Sequence, residues 1–186
     1  MLQTARSILK RDPAAHSLLE VILTYPGVHA LFWYRIAHFL SRHQHHILAG
    51  LVSRHAAIRT GISIAPEAKL GARVFIDHGL GVVIGATAVV EDDVTILHGV
   101  TLGSRYPGSG ARRHPRIKNG AFIGAHAQIL GPVTVGAFSK VGAGAIVLND
   151  VPAKRTVVGS PAHVVEKEHG NVIHVAFNEP DKKLEK

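Results

Sequence analysis

Cysteine is absent from the 186 residues, which excludes disulfides and thiolate metal sites. Aromatic residues make up only 5%, too few for a large aromatic core. An uninterrupted apolar run is also missing. The stretch from Leu18 to Leu40 is broken by Glu20, Pro26, Gly27, His29, Arg35 and His38, so it makes a poor membrane span. Met1 to Lys10 lacks the apolar centre of an export signal, and a cytoplasmic protein is expected. Acidic side chains are the minority, 13 against 21 Lys and Arg, leaving a formal charge of +8. The basic residues are scattered and not interleaved with aromatics, so nucleic acid is not an expected partner. A small polyphosphorylated ligand and solvated basic faces fit that charge better.

Glycine, at 19 residues, and small aliphatics are plentiful, and 46% of the chain is hydrophobic. That supports one folded domain built of thin layers. From Ile117 an aliphatic residue returns at every sixth position: Ile117, Ile123, Ile129, Val135, Val141, Val147. The same step joins Ile84, Val90, Ile96 and Leu102, and before them Ile64, Leu70 and Ile76. Six is neither a helical period nor the two-residue alternation of a simple sheet. It describes short strands separated by tight corners, three strands to a triangular coil, with the aliphatic residues stacked inward. Glycine follows the aliphatic residue at Leu70-Gly71, Ile84-Gly85, Ile123-Gly124 and Val135-Gly136, where it is expected to permit unusual corner conformations. Ala86, Ala125 and Ala143 are expected to keep the coils close. The fold class predicted is mainly β, a left-handed parallel β-helix of hexapeptide repeats with an N-terminal α-helical lead-in.

The lead-in is assigned to residues 1–56, the β-helix to 57–165 and a charged, mobile tail to 166–186. In the lead-in, Asp12-Pro13 is expected to cap and open a helix that Pro26-Gly27 breaks, with a second helix from about Val28 to His46. This second helix should cover the open end of the coil. Two interruptions of the repeat stand out. One contains Asp77-His78-Gly79, and the longer one runs from Ser104 through Arg105, Tyr106 and Pro107 to Gly110. Loops on rigid scaffolds often hold chemistry.

Asp12-Pro13-Ala14, Tyr25-Pro26-Gly27-Val28-His29-Ala30, Phe75-Ile76-Asp77-His78-Gly79, Gly99-Val100-Thr101-Leu102-Gly103, Arg113-His114-Pro115 and Val157-Val158-Gly159-Ser160-Pro161-Ala162 occur in this order. Over roughly residues 11 to 165 the chain resembles the serine O-acetyltransferases, in a short form. The resemblance implies direct transfer of acetyl from acetyl-CoA to the hydroxyl of L-serine, a step of cysteine biosynthesis. Acetyl-CoA is then a co-substrate, with no resident cofactor and no metal. It also implies a homotrimer with sites between subunits. His78 is implied as general base, with His114 and Asp77 in the catalytic set. Asp12 and Asp77 would bind the serine amino group. Arg113 would bind its carboxylate, and His114 would help to hold the substrate. Gly103, Ser104, Ala125 and Ala143 would line the coenzyme groove. The chemistry suits these residue types. An imidazole titrates near working pH, a guanidinium grips a carboxylate with two prongs, and direct transfer needs no cysteine nucleophile.

The chain departs from the family pattern in two places. In Ile62-Ser63-Ile64-Ala65-Pro66 the family's acid and histidine are replaced by Ser63 and Ala65, so either a weaker base or orientation by another acid such as Asp77 is expected. After Leu102 the family's Gly-Gly-Thr-Gly gives way to Gly103-Ser104-Arg105-Tyr106, a bulkier acceptor wall. The tail ends Leu184-Glu185-Lys186 rather than in Ile, so the usual docking onto the next cysteine-pathway enzyme is not expected. Three alternatives remain open. The acceptor could be another small hydroxyl or amino compound. Zinc could be held between subunits by His78, His98 and His126, or the chain could be a non-catalytic scaffold.

Overall fold

The computed structural model describes residues 1–105 and 112–164. The expected mobile tail, and the part of the long loop at residues 106–111 that includes Tyr106, lie outside the described residues. Fifteen short strands form three sheets, one to each side of a triangular coil. Side A holds β1 (Ser63–Ile64), β4 (Val83–Ile84), β7 (Thr101–Gly103), β10 (Gln128–Leu130) and β13 (Ile146–Val147). Side B holds β2 (Lys69–Leu70), β5 (Val89–Val90), β8 (Arg116–Ile117) and β11 (Thr134–Val135). Side C holds β3 (Phe75–Ile76), β6 (Thr95–Ile96), β9 (Phe122–Ile123), β12 (Lys140–Val141), β14 (Thr156–Gly159) and β15 (Ala162–Val164). Neighbouring strands pair in parallel except the last, where β15 runs antiparallel to β14.

The six-residue step is realised as a register of stacked side chains. On side A, Ile64 lies opposite Ile84, Ile84 opposite Leu102, Leu102 opposite Ile129, and Ile129 opposite Val147. All are buried in one continuous core. Two residues ahead of each, a second inward ring is buried as well, formed by Ile62, Val82, Val100, Ala127 and Ala145. The alanines that fill the interior therefore belong to this ring. Ala86 and Ala125 are only half-buried at corners and Ala143 is exposed.

The glycines that follow the stacked residues also serve a different purpose from the one expected. Their φ values are ordinary, and the corners with positive φ carry different glycines, such as Gly99 and Gly120, or other residues, such as Arg73, Asp93, Phe138 and Lys154. Space is what requires glycine there. A Cβ on Gly124 would stand 2.6 Å from the Ala143 nitrogen, and one on Gly136 would stand 2.4 Å from that of Ala153. Successive coils approach too closely for a side chain.

Four helices precede the coil: α1 (Leu2–Arg11), α2 (Leu18–Thr24), α3 (Pro26–Arg42) and α4 (His46–Thr60). Asp12 ends α1 rather than opening a helix, because its Oδ1 accepts from the Ala14 N–H and turns the chain. The helix start is Ser17, which forms a reciprocal capping box with Glu20. Pro26 is the first residue of α3, where its missing N–H is harmless. The expected second helix begins two residues earlier and stops at Arg42, and α4 runs through the expected boundary at 56–57. Helix α3 does cover the first coil. The Tyr34 hydroxyl donates to the Ala68 carbonyl at 2.5 Å and accepts from the Leu70 N–H.

Candidate active site

Helices α1 to α3 bring Asp12 and Tyr25 to the corner between sides C and A, where Asp77 and His78 lie. Arg11 anchors α1 by donating to the carbonyls of Asp93 and Arg73, and its guanidinium stands 5.5 Å from the centre of the Phe75 ring. Ala5, Ile8, Val21 and Val28 pack with Phe75 in a second core. Gly27 lets α3 touch β3: a Cβ there would meet the Ile76 carbonyl oxygen at 2.1 Å. These contacts fix Asp12 beside the Asp77-His78 turn.

The Tyr25 hydroxyl donates to Asp12 Oδ2 at 2.7 Å. This bond, with the Ala14 N–H and the nearby His78 charge, holds the Asp12 carboxyl below its usual range. The same bond pushes the Tyr25 phenol up to about 12, with further repulsion from Asp77. The pair therefore stays carboxylate and neutral phenol, an arrangement fitted to an ammonium group. His78 occupies the left-handed region, with φ +55°, a conformation uncommon outside glycine and a frequent mark of functional turns. Its side chain is 77% exposed, and its Nε2 lies 4.0 Å from Asp77 Oδ1. That is ion-pair range but too long for a hydrogen bond. Asp77 therefore does not hold the ring by a hydrogen bond as expected. The Ser63 hydroxyl makes no hydrogen bond among the described residues.

His114 lies at a different corner, between sides A and B, and is only 7% exposed. Its Nδ1 accepts from the Thr87 hydroxyl at 2.8 Å and from the Thr87 N–H at 3.2 Å. The Thr87 Oγ1 in turn accepts the N–H groups of Arg113 and His114, both at 3.1 Å. With Nδ1 an acceptor, the assigned tautomer carries its proton on Nε2. Burial, then the Arg113 charge, lowers the His114 pKa. His114 is thus a neutral ring offering an Nε2–H donor. Among the described residues, no contact joins this corner to His78.

A family model described as bacterial transferase hexapeptide (six repeats) matches residues 114–149. The serine acetyltransferase of Bacillus subtilis (strain 168) is 47% identical over 175 residues, covering 94% of this chain and 80% of that protein. The chain belongs to the serine acetyltransferase family. Its fold superposes on the crystal structure of the Neisseria gonorrhoeae serine acetyltransferase with a TM-score of 0.86 at 40% identity, covering 89% of this chain and 64% of that one. The Brucella abortus serine acetyltransferase in complex with coenzyme A gives 0.84 at 42% identity, covering 87% and 64%. This chain therefore spans just under two thirds of those solved chains. The coil is the left-handed parallel β-helix of this superfamily.

The residues expected at the coenzyme groove of a serine acetyltransferase divide between the same two corners. Gly103 and Ser104 close β7 on the side of His114. Ala125 and Ala143 sit above His78 at the other corner, one coil apart, linked by the Gly144 N–H donating to the Ala125 carbonyl. Arg113 is exposed beside His114. His78, His98 and His126 follow one another along a corner rather than converging, and no metal-binding group of three is present among the described residues. Two residues that bond to the expected site residues are not among those the sequence reading assigns. Tyr25 was legible within Tyr-Pro-Gly. Thr87 had no local signal, because its partner lies 27 residues away.

Proposed function

We propose that the chain transfers acetyl from acetyl-CoA to the hydroxyl of L-serine, giving O-acetyl-L-serine, at sites formed between neighbouring copies in a trimer. The cluster of Asp12, Tyr25, Asp77 and His78 carries this reading. Two carboxylates, one kept ionised by a phenol, stand beside an imidazole in a strained turn. The carboxylates hold the serine ammonium and leave its hydroxyl toward His78. His78 takes the hydroxyl proton as the oxygen attacks the thioester carbonyl. The tetrahedral intermediate collapses, the C–S bond breaks, and the thiolate receives the proton. Arg113 grips the serine carboxylate, and the neutral His114 donates its Nε2–H to the substrate.

The division of these groups between two corners supports a site made by two copies. Side A separates the corners, and its outward residues Ser63, Val83, Thr101, Gln128 and Ile146 carry no charge. Sides B and C, by contrast, present Lys69, Arg116 and Lys140. A face without charged residues suits burial at an interface. Three copies turned about side A bring the His78 corner of one against the His114 corner of the next. Acetyl-CoA then runs between them along Gly103, Ser104, Ala125 and Ala143.

The test is release of free coenzyme A from acetyl-CoA by untagged protein, with L-serine against other small hydroxyl and amino acceptors. Serine-dependent release should fall by a factor on the order of 10² to 10⁴ in His78→Ala. Release with another acceptor alone would move the substrate, and no release from a folded trimer would end the proposal.

A further inference from the structure

His98 is the residue that neither the resemblance nor the site described so far accounts for. It lies one coil beyond His78 at the same corner, with the ring centres 6.0 Å apart and the planes at 73°. His126, one coil further, stands 5.0 Å from His98 at 87°. Gly99 makes room for this stack, since a Cβ there would meet His126 Nδ1 at 2.2 Å. Within the ladder, His98 Nδ1 is sealed from solvent and has no hydrogen-bond partner among the described residues. Buried polar atoms are nearly always paired, and the exceptions call for a functional reason. Orphaned N–H groups are rarer than orphaned acceptors, which assigns the His98 proton to Nε2.

The base next to it lacks an orienting partner. Asp77 stands too far from the His78 ring for a hydrogen bond, and Ser63 brings no charge. The His78 ring is mostly exposed, whereas the His98 ring packs between those of His78 and His126. We propose, resting on the reading of His78 as the base, that His98 is its positioning residue, a packed imidazole whose Nε2–H edge sets the orientation of the His78 ring. His126 backs His98 from the next coil. The chain thus orients its base from the coil above.

His98→Phe keeps a ring in the stack and removes its nitrogens, while His98→Gln keeps an N–H donor without the ring. In His98→Phe, kcat should fall about tenfold, with KM for serine and acetyl-CoA within about twofold, and His98→Gln should recover most of the loss. The nitrogen-15 signals of the His78 ring should also change tautomer balance in His98→Phe and return in His98→Gln. Unchanged kcat in His98→Phe, or equal loss in both variants, overturns the proposal. So does an unchanged His78 spectrum, even in protein that transfers no acetyl group. A changed spectrum without acetyl transfer supports the positioning role and instead sinks the reading of this chain as an acetyltransferase.

Discussion

At the scale of single residues, the proposed site rests on fixed protonation states. Tyr25 is the simplest to probe, since its hydroxyl is the first cause of the lowered Asp12 pKa. A carboxylate with a depressed pKa binds a cation down to more acidic pH. In Tyr25→Phe, serine KM should rise about five- to tenfold, and the acid limb of kcat/KM for serine should move to higher pH. An unmoved limb would detach Tyr25 from substrate binding. The His114 pKa is lowered as well, but in favour of its neutral form. Its folded value lies below that of a free imidazole, so the unfolded chain takes up the proton first. The stability linked to His114 is present above the ordinary histidine range and is lost as the pH falls through it. Between pH 7 and pH 5 the Tm of the wild type should drop further than that of His114→Gln. Thr87→Val removes both the hydroxyl that donates to this ring and the acceptor of two backbone N–H groups. It should cost about 1–3 kcal/mol in denaturant unfolding and lower kcat/KM.

At the scale of elements, sequence and structure agree where the pattern is set by packing alone. All thirteen aliphatic repeat positions point inward, because a one-residue slip would turn each of them outward. Helix positions were harder to read. In α4 the apolar Ile47, Leu51 and Ile58 are exposed while Ala49, Ala56 and Thr60 are buried, so the usual amphipathic pattern is inverted. Asp12-Pro13 carries the composition of a helix start, yet Asp12 ends α1, because its carboxylate is committed to Ala14 and Tyr25. The site motifs were legible as short strings, but the bonds that tune them were not. Thr87 reaches His114, and Tyr25 reaches Asp12, only through the fold. Gly27 is where an element meets the site. Gly27→Ala forces α3 off the Ile76 carbonyl, at a cost of about 1–3 kcal/mol for overpacking. It should also raise serine KM by shifting Tyr25 away from Asp77. Normal stability together with normal KM would show that the helix has slack there.

At the scale of the whole molecule, a site split between two corners makes a prediction about mixtures. His78→Ala and His114→Ala chains, each inactive alone, should regain activity when refolded together. In a head-to-tail ring, a site is intact when one copy supplies His78 and its neighbour His114. Random mixing in equal amounts leaves about a quarter of the sites whole. No recovery, with mixed trimers confirmed by mass, would place both histidines in one chain's site.

The reversal of β15 has a further consequence. A stack of parallel coils has no natural length, since each last coil offers the next chain the same ladder it received from the one before. Such a molecule is a short piece of a filament, and only its ends decide that it stays short. Helix α3 is the stop at one end. At the other, β15 turns back along β14 and presents side C in the wrong polarity for another coil to continue. Chains truncated from Ala162 onward should therefore lose more than a few contacts. They should pair through the uncovered ends, with α3 still closing the other, and light scattering would register a doubled mass where the intact protein shows a single size.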